Sequence, residues 1–247
     1  MNDYQAPVGL LADKVILVTG AGAGIGAEAA RQYAALGATC ILLGRTVAKL
    51  ETVYDEIVAS GAPEPAIIPL DMKGATPAHY TDMARTIEEQ FGRLDGVLHN
   101  ASVLGNLSAF EDIPDDEWLE VMQINVNATA FMTQKLLPVL RQADKPSVIF
   151  TTSSVGRKGR AFWGTYSVSK FATEGMMQVL ASEYENRAIR FNCINPGGTR
   201  TSMRASAFPA EDPMTLKTPA DIMPLYLYLM GKDSLDVTGQ TFDCQPK

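Results

Sequence analysis

The stretch from Val18 to Ala30, VTGAGAGIGAEAA, decides how the rest of the chain is read. It passes from an apolar, β-branched segment through glycines at 20, 22, 24 and 26 into an alanine-rich run with helical spacing. Where a strand turns into a helix through glycines, the missing side chains let a bulky anion reach the backbone. The start of the helix then offers unpaired N–H groups and the positive end of its dipole. Such a loop suits the diphosphate of a dinucleotide, and a tight turn with close helix packing would use the same glycines. The string reads either as GxxxGxG from Gly20 to Gly26 or as GxGxxA from Gly22 to Ala27.

Outward from this loop, short apolar runs alternate with longer segments whose apolar residues return every three or four positions. The runs are KVILVTG, TCILLG, AIIPLD, LDGVLHN, SVIFTTS, IRFNCINP and a late QTFDC. The intervening segments include GAEAARQYAALG, AKLETVYDEIVASG, HYTDMARTIEEQFG, the long DDEWLEVMQINVNATAFMTQKLLPVLRQ and SKFATEGMMQVLASEYE. Strands without inside-outside alternation are buried on both faces, and strands separated by helices pair in parallel. The pattern predicts an α/β protein: a Rossmann-like, doubly wound parallel β-sheet with helices on both faces. Gly37, Gly61 and Gly92 each stand where a helical segment stops, as a left-handed C-terminal cap requires. The units run on without a linker or repeat, so one domain is expected over residues 1–247, with a short N-terminal extension over about 1–12. The nearest candidate for an interruption, RASAFPAEDPMTLKTPAD from Arg204, reads as a loop or short lid.

The bulk properties narrow the function. With 247 residues, 46% of them hydrophobic, the chain can bury a full core, and its formal net charge of -7 disfavours nucleic acid or an anionic membrane as partner. No apolar run reaches the length of a signal peptide or a membrane span, and a cytoplasmic, reduced protein is expected. Cys40, Cys193 and Cys244 are widely spaced, and His79 and His99 lack ligand-like neighbours, so neither a metal site nor a disulfide framework is expected. Cys193 falls in a buried strand, whereas Cys244, near the tail, is open to exposure.

Three further features carry chemistry. The second apolar run ends in Gly44 and Arg45, where a dinucleotide fold that holds a ribose 2′-hydroxyl has an acid. A guanidinium there favours a 2′-phosphate, hence NADP(H) over NAD(H), with a solvated loop arginine as the plain alternative. Arg157, Lys158 and Arg160 form a basic cluster, RKGR, which is either a solvated loop or a docking point for an anionic substrate or carrier. In YSVSK, Tyr166 and Lys170 are four apart, so on a helix the phenol and the ammonium share a face. By itself that pair is as well explained by a half-buried phenol and a snorkelling lysine.

With the glycine loop, HNAS and YxxxK in order along one chain, the sequence resembles the short-chain dehydrogenase/reductase family over about Lys14 to Asp243. The resemblance implies that the loop with Thr19, Gly20, Gly24, Ile25 and Gly26 binds the cofactor, that Asp71 meets adenine, and that Asn100 belongs to the motif usually written NNAG. His99 and Ser102 depart from that motif. By the same resemblance Ser153, thirteen residues before Tyr166, binds the substrate oxygen. The helical asparagine is Asn125, with Asn127 close enough to leave the assignment open. Pro196, Gly197 and Thr201, in PGGTRT, match the segment that closes over the nicotinamide, and Lys170 holds its ribose. A homodimer or homotetramer built through the helices of Asn125 and Tyr166 is implied as well.

Reduction of a carbonyl needs a hydride at carbon and a proton at oxygen. A tyrosine with an ordinary pKa near 10 must be brought down by about three units, roughly 4 kcal/mol, to exchange its proton easily at neutral pH. A nearby ammonium supplies part of this. The expected function is therefore an NADP(H)-dependent oxidoreductase acting on a small carbonyl or secondary alcohol, with Tyr166 as general acid/base. A 3-oxoacyl-thioester reductase is the alternative substrate reading, and a non-catalytic NADP-binding sensor or scaffold is the rival from another class.

Overall fold

A computed structural model describes residues 1–185 and 189–246. Seven strands form one parallel sheet: β1 (Val15–Thr19), β2 (Thr39–Gly44), β3 (Ala66–Pro69), β4 (Gly96–His99), β5 (Ser147–Thr151), β6 (Arg190–Asn195) and β7 (Thr241–Asp243). Their order across the sheet is β3-β2-β1-β4-β5-β6-β7. The helices between them are α1 (Gly24–Ala35), α2 (Val47–Ala59), α3 (Pro77–Phe91), α4 (Asp115–Met122), α5 (Ala128–Leu140), α6 (Gly164–Glu183), α7 (Ser202–Ala207) and α8 (Met223–Met230).

β1 shows why the strands read as unbroken apolar runs. Ile16 and Val18 pack into a core with Tyr33, Leu50 and Tyr226 from α1, α2 and α8. Val15 and Leu17 pack into the opposite core with Tyr80, Met132 and Met177 from α3, α5 and α6. Burial on both faces removes any reason for a polar alternation. All seven expected strands are present, and Gly37, Gly61 and Gly92 have φ of 99°, 76° and 72° at the helix ends. Among the described residues no helix is long and apolar enough to cross a membrane.

Three local results refine the sequence reading. The long central helical segment is α4 and α5 joined through a π-helical turn at Gln123–Asn127, and the helix carrying YSVSK begins at Gly164. Cys244 is not exposed: only 3% of its surface is accessible, because β7 pairs in register with Cys193–Asn195 and draws Cys244 into the core of α1 and α8. Burial pushes its thiol up to about 12, and Cys193 is raised as well, so neither is poised to react.

The sheet reverses its winding between β1 and β4, which pair directly. In such sheets a crevice opens at the carboxyl ends of the strands where the order reverses. The glycine loop after β1 and the Asn100–Ala101 segment after β4 stand at that place.

Candidate active site

The glycine loop is held by its neighbours across the crevice. Thr19, at the end of β1, is buried, and its Oγ1 accepts from the backbone N–H groups of Asn100 at 2.9 Å and Ala101 at 3.0 Å. This ties the start of the loop to the end of β4. Gly24 has φ of 56°, a region that favours glycine, and Thr201 lies against it from the far side. Gly26 is demanded by space: a Cβ there would sit 2.4 Å from the Gly20 carbonyl oxygen and 2.8 Å from Asn100 Nδ2. Glycine at 24 and 26 thus lets the loop fold tightly against its neighbours at the start of α1, and a helix start of this kind suits a diphosphate.

The crevice continues along the ends of β2 and β3 as a cavity of about 300 Å³ lined by Gly44, Arg45, Lys49 and Asp71. Arg45 is exposed there, and Asp71 Oδ1 accepts from the Lys73 N–H at 3.0 Å. Lys49 is a second cation that the sequence reading passed over. Only the start of α2 at Val47, which brings position 49 round to the same mouth, shows its relevance.

On the other side of the glycine loop, a cavity of about 260 Å³ is lined by Gly24, Ile25, Ser153, Tyr166, Pro196 and Thr201, among others. Ser153 and Tyr166 therefore meet in one space, Ser153 from the segment after β5 and Tyr166 from the first turns of α6. Burial raises the Tyr166 phenol to about 12, while hydrogen bonds with Ser153 and Ser102 act to lower it. Ser102, one of the two departures from the NNAG pattern, thus stands beside the phenol.

Lys170 is 4% exposed, and burial lowers its ammonium to about 8. Its Nζ donates to the Thr151 carbonyl at 2.9 Å and lies 5.4 Å from the centroid of the Tyr166 ring. The expected drop of the phenol towards neutral pH is absent from this state. Burial raises the phenol, and the Lys170 ammonium is directed at a carbonyl rather than at the phenol oxygen.

Asn125 sits in the π-helical turn and is 3% exposed. Its Oδ1 accepts from the Val103 N–H at 2.9 Å, and its Nδ2 donates to the Val103 carbonyl at 2.9 Å and to Ser169 Oγ at 3.0 Å. Ser169 in turn donates to the Tyr166 carbonyl at 2.7 Å, which links the two helices beneath the phenol. Asn127 is exposed and donates to Gln123 Oε1 at 3.1 Å, so the geometry separates the two asparagines. Isolated π-turns often occur at functional sites, and this one carries the asparagine inward.

His99 does not enter the crevice. It is buried, stacked on Phe150 at 5.0 Å between centroids, and its Nε2 is 2.9 Å from Thr133 Oγ1. The Thr133 hydroxyl is also 2.8 Å from the Thr129 carbonyl, and burial holds the His99 ring neutral with a pKa of about 3. The RKGR cluster is partly engaged within the chain. Arg157 pairs with Asp243, and the Arg160 guanidinium lies 5.8 Å from Trp163 and 5.7 Å from Phe208.

The sequence reading also missed how the Pro196–Gly198 segment is held. Asn195 Oδ1 accepts from the Gly197 N–H at 3.2 Å, while Asn195 Nδ2 donates to Asp243 at 2.7 Å. Gln245 Nε2 donates to the carbonyls of Pro196 at 2.9 Å and Gly198 at 3.0 Å. The contacts made by Asp243 and Gln245 join residues about 48 apart in the chain, and no local pattern announces them.

A doubly wound sheet with a glycine cradle at its switch point, and a buried tyrosine and a half-buried serine facing the same crevice, defines an α/β oxidoreductase type of site. The comparisons with known proteins agree: the family model for short chain dehydrogenase matches residues 14–212, and the chain belongs to that family. It is 57% identical over 243 residues, 98% of this chain and 96% of the relative, to the uncharacterized oxidoreductase YciK of Escherichia coli K12. A crystal structure of a short chain dehydrogenase from Salmonella enterica serovar Typhi superposes with a TM-score of 0.97 at 58% identity, covering 98% of this chain and 100% of that one. Another from Shigella flexneri 2a, complexed with NADP, gives 0.95 at 57% identity over 97% of this chain and all of the other.

Proposed function

We propose that this protein is an NADP(H)-dependent oxidoreductase that interconverts a ketone or aldehyde with its alcohol, with Tyr166 as the proton-transferring group. The observation that carries the reading is the meeting of Tyr166 and Ser153 in one cavity beside the glycine cradle.

The residues present fit the cofactor. Gly20, Gly24, Ile25 and Gly26 would take the diphosphate, Arg45 and Lys49 the 2′-phosphate, Asp71 the adenine side, and Asn100, Pro196, Gly197 and Thr201 the nicotinamide end. Bound there, NADP(H) supplies the hydride and, when oxidised, a positive ring that favours phenolate. The 57% identical structure complexed with NADP supports this choice of cofactor. Within the chain, Ser153 donates to the carbonyl oxygen and holds it against the phenol. Tyr166 delivers or takes the proton, Lys170 favours the phenolate electrostatically, and Asn125 fixes the spacing of the helices beneath. Of the two alternatives, a thioester carried by an acidic partner is weakened at Arg157, which is paired with Asp243, while Lys158 and Arg160 stay exposed. A pure sensor has no need of a serine beside a buried phenol.

The reading includes self-association through α6, which exposes Val168, Phe171 and Val179 at helical spacing along one face. Light scattering is expected to give a multiple of 26.7 kDa, and a monomer at high concentration would remove this part. The cofactor choice is tested by titrating the protein with NADPH and NADH while following nicotinamide fluorescence. Binding of NADPH tighter by about tenfold or more, lost on Arg45→Ala, is expected, since one charge-assisted contact is worth roughly 1.5–3 kcal/mol. Equal affinities would refute it.

A further inference from the structure

The substrate end of the crevice has its own wall, which the cofactor does not explain. Leu104, Trp163, Met203 and Ala207 line it with apolar surface near Tyr166. The Trp163 ring stands 5.9 Å from the Tyr166 ring and 5.8 Å from Phe208, so the segment before α6 and the end of α7 pack together across it. Among the described residues, Arg204 is the only Asp, Glu, Lys, Arg or His side chain lining this cavity.

Arg204 is already engaged. Its Nε donates to Glu211 Oε2 at 2.6 Å and its Nη2 to Glu211 Oε1 at 2.6 Å, the paired geometry in which a guanidinium grips a carboxylate most firmly. One face of the guanidinium lies 3.8 Å from the centroid of the Phe208 ring. The hydrogen bonds from Arg204 hold the Glu211 carboxyl below its usual range, so the pair stays charged on both sides and neutral in sum around pH 7.

We propose that this end of the site takes an uncharged carbonyl compound, or the corresponding alcohol, with a hydrocarbon body, and that the Arg204–Glu211 pair enforces the choice by cancelling the cation that lines the cavity, while Arg160 is held over the Trp163 and Phe208 rings. The inference rests on the redox reading above and deepens it. A substrate carboxylate or phosphate could use Arg204 only by displacing Glu211, exchanging one ion pair for another while bringing its own charge out of water. A hydrocarbon body gains from the apolar wall without that exchange, at about 25 cal/mol for each Å² it removes from water. Negative charge on the ligand is thereby disfavoured although an arginine lines the pocket.

The test compares para-acetylbenzoate with its methyl ester, which share one carbon frame and differ in charge. Binding to the NADP-saturated protein is measured by calorimetry, and kcat/KM with NADPH by the loss of nicotinamide absorbance. The ester is expected to be favoured by about tenfold or more in both measurements, a difference of roughly 1.4 kcal/mol. Glu211→Gln, which frees the guanidinium, is expected to shift the ratio about tenfold towards the acid. The double variant Arg204→Gln with Glu211→Gln, which keeps the wall neutral, is expected to restore the ester preference, separating charge from loop disruption. A preference for the acid in the wild type, a ratio unmoved by Glu211→Gln, or no binding of either compound would overturn the proposal. Binding in the expected order without hydride transfer would uphold the charge selection and sink the redox reading. Transfer to both compounds with no charge preference would do the reverse.

Discussion

The two sides of the crevice differ in what they are made of. Around β1, α1 and β2 the surface is mainly backbone, shaped by Gly20, Gly24 and Gly26, with Arg45 exposed at its mouth. Around β5, α5 and α6 it is side chain, and Asn125, Tyr166 and Lys170 are 3%, 8% and 4% exposed. A backbone site is destroyed by adding atoms, because any Cβ occupies the space or the conformation it needs. A side-chain site is destroyed by removing one polar atom, because its partners have no substitute. Each side should therefore fail in its own way.

The largest effect belongs to the side-chain half. Tyr166→Phe deletes one oxygen and keeps the ring that packs on Trp163. Turnover is expected to fall by about 10³-fold, the usual worth of a placed proton donor, with NADPH affinity unchanged within a few-fold. Parallel loss of affinity would show that the two halves are not separable. Gly26→Ala does the converse by adding one carbon 2.4 Å from the Gly20 carbonyl oxygen. NADPH binding is expected to weaken by at least about 30-fold and thermal stability to drop by about 1–3 kcal/mol, as for other overpacked positions. Calorimetry reads both quantities, and a variant that binds normally would mean that the loop has slack.

An effect confined to acid pH comes from His99, at the end of β4. Its folded pKa of about 3 is below the ordinary 6.5, so between these values the unfolded chain binds the extra proton. Its contribution is present in full above pH 6.5 and is lost as pH falls towards 3. Urea unfolding of His99→Asn should accordingly show a shallower loss of stability over this range than the wild type. Identical slopes would place the acid sensitivity elsewhere.

How legible the molecule was follows from the same contrast. The strands could be read because burial on both faces writes itself as an unbroken apolar run, and the cradle could be read because glycines mark a strand-to-helix turn. The spacing from Ser153 to Tyr166 is local, and the two side chains line one cavity. What stayed hidden depends on residues that meet only after folding. Examples are Ser102 beside the phenol, Lys170 turned to the Thr151 carbonyl, the tail residues Asp243 and Gln245 against Pro196–Gly198, and Glu211 closing on Arg204. Cys244 was misjudged for a related reason, since β7 has only three residues and shows its pairing only beside β6.

The central claim is that Tyr166 and the glycine cradle serve one hydride transfer. It is tested most directly with NADPH deuterated at the reactive ring carbon, incubated with a neutral ketone and wild-type or Tyr166→Phe protein, with the product alcohol read by mass spectrometry. The account predicts one deuterium at the carbinol carbon with the wild type and almost none with the variant at matched NADPH occupancy. NADPH bound by both proteins, with no label transferred by either to any of a panel of neutral ketones and aldehydes, would contradict it and leave a cofactor-binding protein without chemistry.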